Sequence, residues 1–347
     1  MAPTSLDASV ILATYHQLPS TTLALQALFA QETDYSYEVI VCDDGSDPAT
    51  IEAFTRILAN APVPAHLAWQ QDRGFRAAAS RNNGIRMARG RIVIMLDGDM
   101  VPARDFVQNH VQAHEQERVV AIGHRRWRDP DLVPSGDAGD VDMHALWTSL
   151  HDDSAERLTK ATEHFEMLYR HILWKAAPWM ACFSCNVSVP RSSMVEFDED
   201  FVGWGYEDYE LFYRLNAIHG FTVLPVDADA YEIRGRVDLG KTWTQANFIA
   251  HLTNGFRFHD KWAHTGLTYP QSIPRYDLDP DTGNWRFSGL PVFGPRATDF
   301  PDYIEMARRW LVEHGHYPAT VPGEPDDSVL DTKTHDAKTT GLEHSVG

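Results

Sequence analysis

Over the first hundred residues, short apolar runs alternate with helix-periodic segments, and this alternation constrains the fold more than any other feature. The apolar runs lie at Ala8 to Ala13, Glu38 to Cys42, His66 to Trp69 and Arg91 to Leu96. Between them, Thr22 to Leu28, Pro48 to Leu58 and Ala77 to Ala88 carry helical character. Strands that are apolar throughout, each separated by a helix, predict an α/β fold whose mainly parallel sheet is covered by helices on both faces. Ligands of such sheets bind beyond the carboxyl ends of the strands. Three of the four runs lead there into polar or acidic loops: Thr14 to Pro19, Asp43-Asp44-Gly45-Ser46 and Asp97-Gly98-Asp99.

Beyond this region the pattern loosens. Val119 to Gly123 reads as a strand, Arg125 to Asp142 is rich in Asp, Arg, Pro and Gly, and Asp153 to Trp174 reads as helical, so this stretch is expected to be an insertion. Phe183 to Pro190 reads as a strand, Glu207 to about His219 as a helix, Phe221 to Val226 as a strand and Thr244 to Trp262 as a helix. From Leu267 on, Pro, Asp and Gly dominate apart from a helix near Tyr303 to His314, and the polar tail after Pro322 reads as disordered.

Composition narrows the function classes. A chain of 347 residues with 43% hydrophobic residues has the apolar content for one large α/β domain with extensions, or about two domains. Its formal charge of −19 repels phosphate backbones and anionic lipid, which argues against nucleic-acid and membrane-surface binding. No apolar run is long enough to span a bilayer, and Met1 to Ala8 shows no export signal, so a soluble cytoplasmic protein is expected. Cys42, Cys182 and Cys185 are too few for a disulfide framework. Cys182 and Cys185 form a C-x-x-C on an expected strand, with thiols on opposite faces, and read as structural.

Four segments carry chemistry. Asp97 and Asp99, at i and i+2 of an extended segment, face the same side; they suit a hard cation such as Mn²⁺ or Mg²⁺ or, alternatively, an ordinary turn. Asp43-Asp44 at a strand end suits a base or ribose, while Ser46 or Asp47 suits a helix cap. Asp72 to Gly84 combines small residues with arginines able to fork around phosphate oxygens. In Phe201 to Glu210, glycines flank Trp204, whose face suits a sugar ring, and Glu207-Asp208 open a helix, where an ionised carboxylate beside an acceptor hydroxyl is a candidate general base.

Together Val10 to Tyr15, Val41 to Ser46, Arg81-Asn82-Asn83-Gly84-Ile85, Leu96 to Asp99, and Asn186 to Pro190 through Asp208 resemble a GT-A (Rossmann-like) glycosyltransferase of the broad family 2 group. Gly203-Trp204-Gly205-Tyr206-Glu207-Asp208 is similar to the GWGxED segment of β-1,4-galactosyltransferases and chondroitin-type polymerases. The resemblance implies a transferase domain over 1–262, with a nucleotide half at 1–100, an insertion at 124–180 and an acceptor half at 181–262, then an extension at 263–322 and a tail at 323–347. It implies that Thr14, Asp44 and, less so, Asp43 hold the base, that Arg81 and Asn82 contact the nucleotide or sugar, and that Asp97 meets the ribose or sugar. By the same resemblance Asp99 holds Mn²⁺ or Mg²⁺, Trp204 lines the donor sugar and acceptor, Glu207 fixes a sugar and Asp208 takes the acceptor proton. A hexose would then pass from a UDP-sugar to a hydroxyl acceptor. Retaining relatives that add GalNAc to peptides resemble Trp-Gly-Gly-Glu-Asn here, so an acid at Asp208 favours inversion.

One departure stands out. Where similar enzymes carry a metal-binding His, this chain has Glu232, which either replaces it as an oxygen ligand or leaves the metal weakly held, with Arg234 and Arg236 as alternative partners for diphosphate charge. A catalytically inactive nucleotide-sugar-binding protein is the competing reading. A nucleotidyltransferase would need a basic Gly-rich loop after the first strand, and Thr14 to Pro19 is not one.

Overall fold

The computed structural model describes residues 6–115, 118–128, 130–132, 141–151, 177–233, 244–267, 275–278, 284–289 and 300–318. The helix expected within the insertion, Arg234, Arg236 and the tail at 323–347 lie outside the described residues.

The expected alternation is present: β1 (Ala8–Thr14), α1 (Leu18–Phe29), β2 (Tyr37–Asp43), α2 (Pro48–Ala59), β3 (Ala65–Trp69), α3 (Ala77–Met87) and β4 (Ile92–Asp97). Local chemistry sets the boundaries. Asp47 caps α2, accepting from the Ala49 and Thr50 amides at 3.0 Å, and Pro48 begins the helix where its missing N–H costs nothing. Of the two expected caps it is thus Asp47 that serves. After β4 come β5 (Met100–Pro102), α4 (Phe106–Gln112), β6 (Val119–Ile122), β7 (Arg125–Arg128), α5 (Met143–Leu150) and β8 (Asn186–Pro190). Next are α6 (Glu207–Tyr213), continued by a π-turn over Arg214–Ile218, then β9 (Thr222–Pro225), β10 (Ala230–Ile233) and α7 (Gln245–Trp262). The hairpin β11 (Arg275–Leu278) and β12 (Trp285–Gly289) and the helix α8 (Phe300–Glu313) follow.

The main sheet runs β3-β2-β1-β4-β8-β6-β9, with β3, β2, β1 and β4 mutually parallel and β8 antiparallel to both neighbours. Successive strand residues feed opposite faces. Val10, Leu12, Val39, Val41, Ile94 and Leu96 pack with Leu25, Leu28, Phe54 and Phe106 on one side. Ile11, Ile40, Val93 and Met95 pack on the other with Ala78, Phe212, Phe258 and Trp262. Helices therefore cover both faces, and full burial explains why these strands read as continuous apolar runs. A second sheet, β5-β10-β7, lies beside the carboxyl edge and sets Glu232 of β10 opposite Met100 of β5 and Trp127 of β7.

The C-x-x-C is not on a strand. Pro178–Ala181 form a 3₁₀ turn, Ser184 and Cys185 a further turn, and β8 begins only at Asn186, so the opposite-face argument fails. Cys42, Cys182 and Cys185 are nevertheless free and buried, and burial pushes all three thiols up, which makes them poor nucleophiles.

Candidate active site

Parallel register brings the strand ends level: Thr14 pairs with Asp43, Ala13 with Asp97, and Asp43 with Trp69. Chain segments far apart in sequence thus deliver polar residues to one edge.

On the β1–β2 side, the Thr14 hydroxyl is 2.7 Å from that of Thr21. Asp43 is wholly buried and engaged in the turn, accepting from the Gly45 and Ser46 amides at 2.9 and 2.6 Å and from the Ser46 hydroxyl at 2.6 Å. Gly45 has φ +107°, and a Cβ there would lie 2.4 Å from the Asp72 backbone, so glycine is required. Asp44 points the other way. Its oxygens accept from Gln70 Nε2 at 2.6 Å and from the Arg76 amide at 2.7 Å, which ties the 70–76 loop to the end of β2. Burial raises its pKa, opposed chiefly by the Arg76 amide. The exposed Tyr15 reaches Asp72 at 3.3 Å across the same loop.

The centre of the edge is acidic and held together by Arg81. This buried guanidinium on α3 lies 2.9 Å from Asp97 Oδ1 and 3.3 Å from Glu207 Oε1, joining the end of β4 to the start of α6. Oε2 of Glu207 and Oδ1 of Asp208 are buried with no hydrogen-bond partner among the described residues. Burial raises the pKa of both carboxyls, and Arg81 pulls both down. Their neighbours keep Arg81 protonated. Cys185 sits among them, its thiol within reach of the charges on Arg125, Asp97, Asp208 and Glu232. Gly98 between the two aspartates is required sterically, because a Cβ would lie 2.7 Å from Thr21 Oγ1 and 2.9 Å from the Ala13 carbonyl.

Two expected residues are placed differently. Asn82 is fully buried and its amide is engaged at both ends: it accepts from the Phe197 amide at 2.8 Å and donates to the Phe197 carbonyl and Glu199, both at 2.9 Å. In the structure it fastens α3 to 197–199 rather than facing the edge. Glu232 is fully buried and paired with Arg125 at 2.5 Å, and Arg125 lies 4.8 Å from the Trp127 ring centroid and is influenced by Asp99 and Asp97.

This pairing bears on the expected metal. Among the described residues no group of three or more His, Cys, Asp or Glu side chains is set to hold an ion. Magnesium-type ions need only one or two carboxylates when substrate phosphates and water complete the shell. Asp99, partly exposed at the entry to β5, fits that minimal role. Glu232 is paired through Oε2 with Arg125.

The loop before α6 is tightly shaped. Gly203, Gly205 and Tyr206 all have positive φ, at +81°, +89° and +74°. A Cβ on Gly205 would lie 2.4 Å from His251, whose ring packs 5.6 Å from Trp204 and 4.7 Å from Tyr206. Burial holds His251 neutral, with a pKa of about 3. The Gly203 amide donates to the Phe75 carbonyl at 3.0 Å, joining this loop to the 70–76 loop. Arg125 lies in Arg125-Arg126-Trp127-Arg128, which the sequence reading expects on the acceptor side; His251, Asn254 and Gln70 it missed as site neighbours, because they are ordinary helix or loop residues until the fold places them.

Comparison with known proteins finds glycosyltransferases. Over 240 residues the chain is 29% identical to an uncharacterized glycosyltransferase, YfnE, of Bacillus subtilis, covering 61% of this chain and 60% of that protein. Over 322 residues it is 29% identical to validoxylamine A glucosyltransferase of Streptomyces hygroscopicus, covering 86% of this chain and 69% of that one. The chain thus spans well under the full length of both. Among solved structures it aligns with the mannosyltransferase PcManGT from Pyrobaculum calidifontis, in complex with GDP-Man and Mn²⁺, at a TM-score of 0.49 and 19% identity, covering 78% of this chain and 72% of that one. Residues 9–174 match the family described as Glycosyl transferase family 2.

Proposed function

We propose that the chain transfers a hexose from a nucleotide-sugar, with UDP as the carrier, to a hydroxyl acceptor with inversion, and that 1–262 is the unit that does so. The observation that carries this reading is the pair of buried carboxylate oxygens without partners among the described residues, on Glu207 and Asp208, beside Arg81 and the Asp97 end of β4. Asp208 takes the proton from the acceptor hydroxyl as its oxygen attacks the anomeric carbon from the face opposite the diphosphate. The C1–O bond to the diphosphate breaks and its electron pair leaves with the nucleotide. Glu207, oriented by Arg81, hydrogen-bonds a sugar hydroxyl through its second oxygen. Thr14 and Asp44 border the base, Asp97 the ribose or sugar, and Trp204 offers a ring face to donor and acceptor. Asp99 would hold a divalent cation, which when bound would supply charge neutralisation on the leaving group.

The test is a thermal-shift screen of UDP, GDP and dTDP with and without Mn²⁺ on the wild-type chain and Asp99→Ala, followed by turnover of labelled UDP-hexoses. Stabilisation by UDP that needs Mn²⁺ and disappears in Asp99→Ala is expected. Stabilisation by GDP or dTDP alone overturns the donor, and UDP binding without any turnover favours a binding protein.

A further inference from the structure

The strained loop that leads into α6 has a built seat on α7, a helix beyond the family match at 9–174. Asn254 is almost fully buried there, and its amide nitrogen donates to two loop carbonyls, Val202 at 3.1 Å and Gly205 at 2.9 Å. These carbonyls bracket Gly203 and Trp204, and the left-handed conformations of Gly203 and Gly205 leave them without a ladder partner. The same face of α7 is shaped to the loop at three more points. Ala250 lies 2.8 Å from where a Gly203 Cβ would be, His251 lies 2.4 Å from a Gly205 Cβ, and a Cβ on Gly255 would be 3.1 Å from the Tyr206 ring.

We propose that Asn254 is a positioning residue for catalysis: by fixing the carbonyls of Val202 and Gly205 it sets the left-handed Tyr206, and thereby the direction in which α6 presents Glu207 and Asp208. Tyr206 directly precedes Glu207, and its carbonyl accepts the Glu210 amide at 2.9 Å, so its conformation is the hinge between loop and helix. Among the described residues the Asn254 amide nitrogen donates to the loop carbonyls of Val202 and Gly205 and to no strand end. Loss of its donors is therefore expected to change acceptor activation and leave nucleotide binding intact. The inference rests on Asp208 being the base, but its structural half can be read without any substrate.

The experiment compares wild type with Asn254→Asp, which keeps shape but sets a carboxylate against two carbonyl oxygens, and with the smaller neutral Asn254→Ser, in case the first does not fold. Three quantities are read: deuterium uptake over 201–210, calorimetric affinity for UDP with Mn²⁺, and kcat and donor KM with whichever UDP-hexose the wild type turns over. The expected result is exchange in 201–210 about tenfold faster with β1 and β4 unchanged, since the opening is local. UDP affinity and donor KM stay within about twofold, while kcat falls on the order of 10- to 100-fold as the base is displaced. Unchanged exchange over 201–210, or a loss appearing as weaker UDP affinity, overturns the proposal. If wild type turns over no nucleotide-sugar while the exchange result holds, the catalytic reading fails and the seat for the loop stands.

Discussion

Replacing Arg81 with methionine removes the one guanidinium that joins Asp97 to Glu207. Methionine keeps most of the volume, so the effect reads charge rather than packing. The Arg81 and Glu207 side chains are only 7% and 9% exposed, whereas Asp97 is 32% exposed and partly screened by solvent. The loss therefore comes mainly from Glu207 and its neighbour Asp208, left buried without a cation. Breaking a buried pair in this way costs on the order of 3–5 kcal/mol. For a chain of this size that lowers the melting temperature by roughly 4–7 °C. The cost depends on pH with a definite sign. Glu207 already has a folded-state pKa raised from 4.5 to about 7, so the folded state binds protons that the unfolded chain releases, and stability declines as pH rises through that interval. Without Arg81 both carboxyls move further up and the decline steepens. Urea denaturation followed by tryptophan fluorescence is expected to show the full loss at about pH 8 and less than half of it at about pH 5, with Arg81→Lys between wild type and methionine. A loss of the same size at both pH values, or one below about 1 kcal/mol at about pH 8, refutes the view that Arg81 neutralises this acidic centre.

Further outcomes follow from the same geometry. Asp208→Asn is expected to lower kcat by about 10² to 10⁴ while leaving UDP affinity within about twofold, as measured by turnover and calorimetry. Glu232→Gln removes the carboxylate paired with the partly exposed Arg125, so a stability loss of about 1–3 kcal/mol by denaturation is expected, with Mn²⁺ affinity in the presence of UDP little changed; a selective collapse of Mn²⁺ affinity would instead make Glu232 a ligand. Gly98→Ala drives a Cβ to within 2.7 Å of Thr21 and 2.9 Å of the Ala13 carbonyl, and about 1–3 kcal/mol should be lost in the same denaturation assay.

Much of the fold was legible locally because backbone periodicity is a local property. Fully buried strands such as Val39–Val41 and Ile92–Leu96 need apolar residues on both faces, and helices such as α2 announce themselves by Asp47 and Pro48. Polar strand ends at Thr14, Asp43 and Asp97 were likewise visible, since a parallel sheet gathers its carboxyl ends on one edge. Cys182 and Cys185 were misplaced because an apolar stretch flanked by turns looks like a strand until hydrogen-bond partners are known.

Which charges meet was a question only for the tertiary structure. Arg81 and Glu207 are 126 residues apart, Arg125 and Glu232 are 107 apart, and nothing in either local segment specifies the partner. Sheet order decides it: β8 inserts antiparallel beside β4, and β10 pairs between β5 and β7, which carries Glu232 to the Asp99 side and lets Arg125 neutralise it. The same holds for Asn82, drawn inward to Phe197, and for Asn254, whose two donors matter only because α7 lies under a loop with carbonyls to satisfy. Residue types and their order determined the elements and the edge where chemistry gathers. Long-range packing determined which cation each carboxylate meets there, because a buried charge is set by what the fold brings against it and not by its neighbours along the chain.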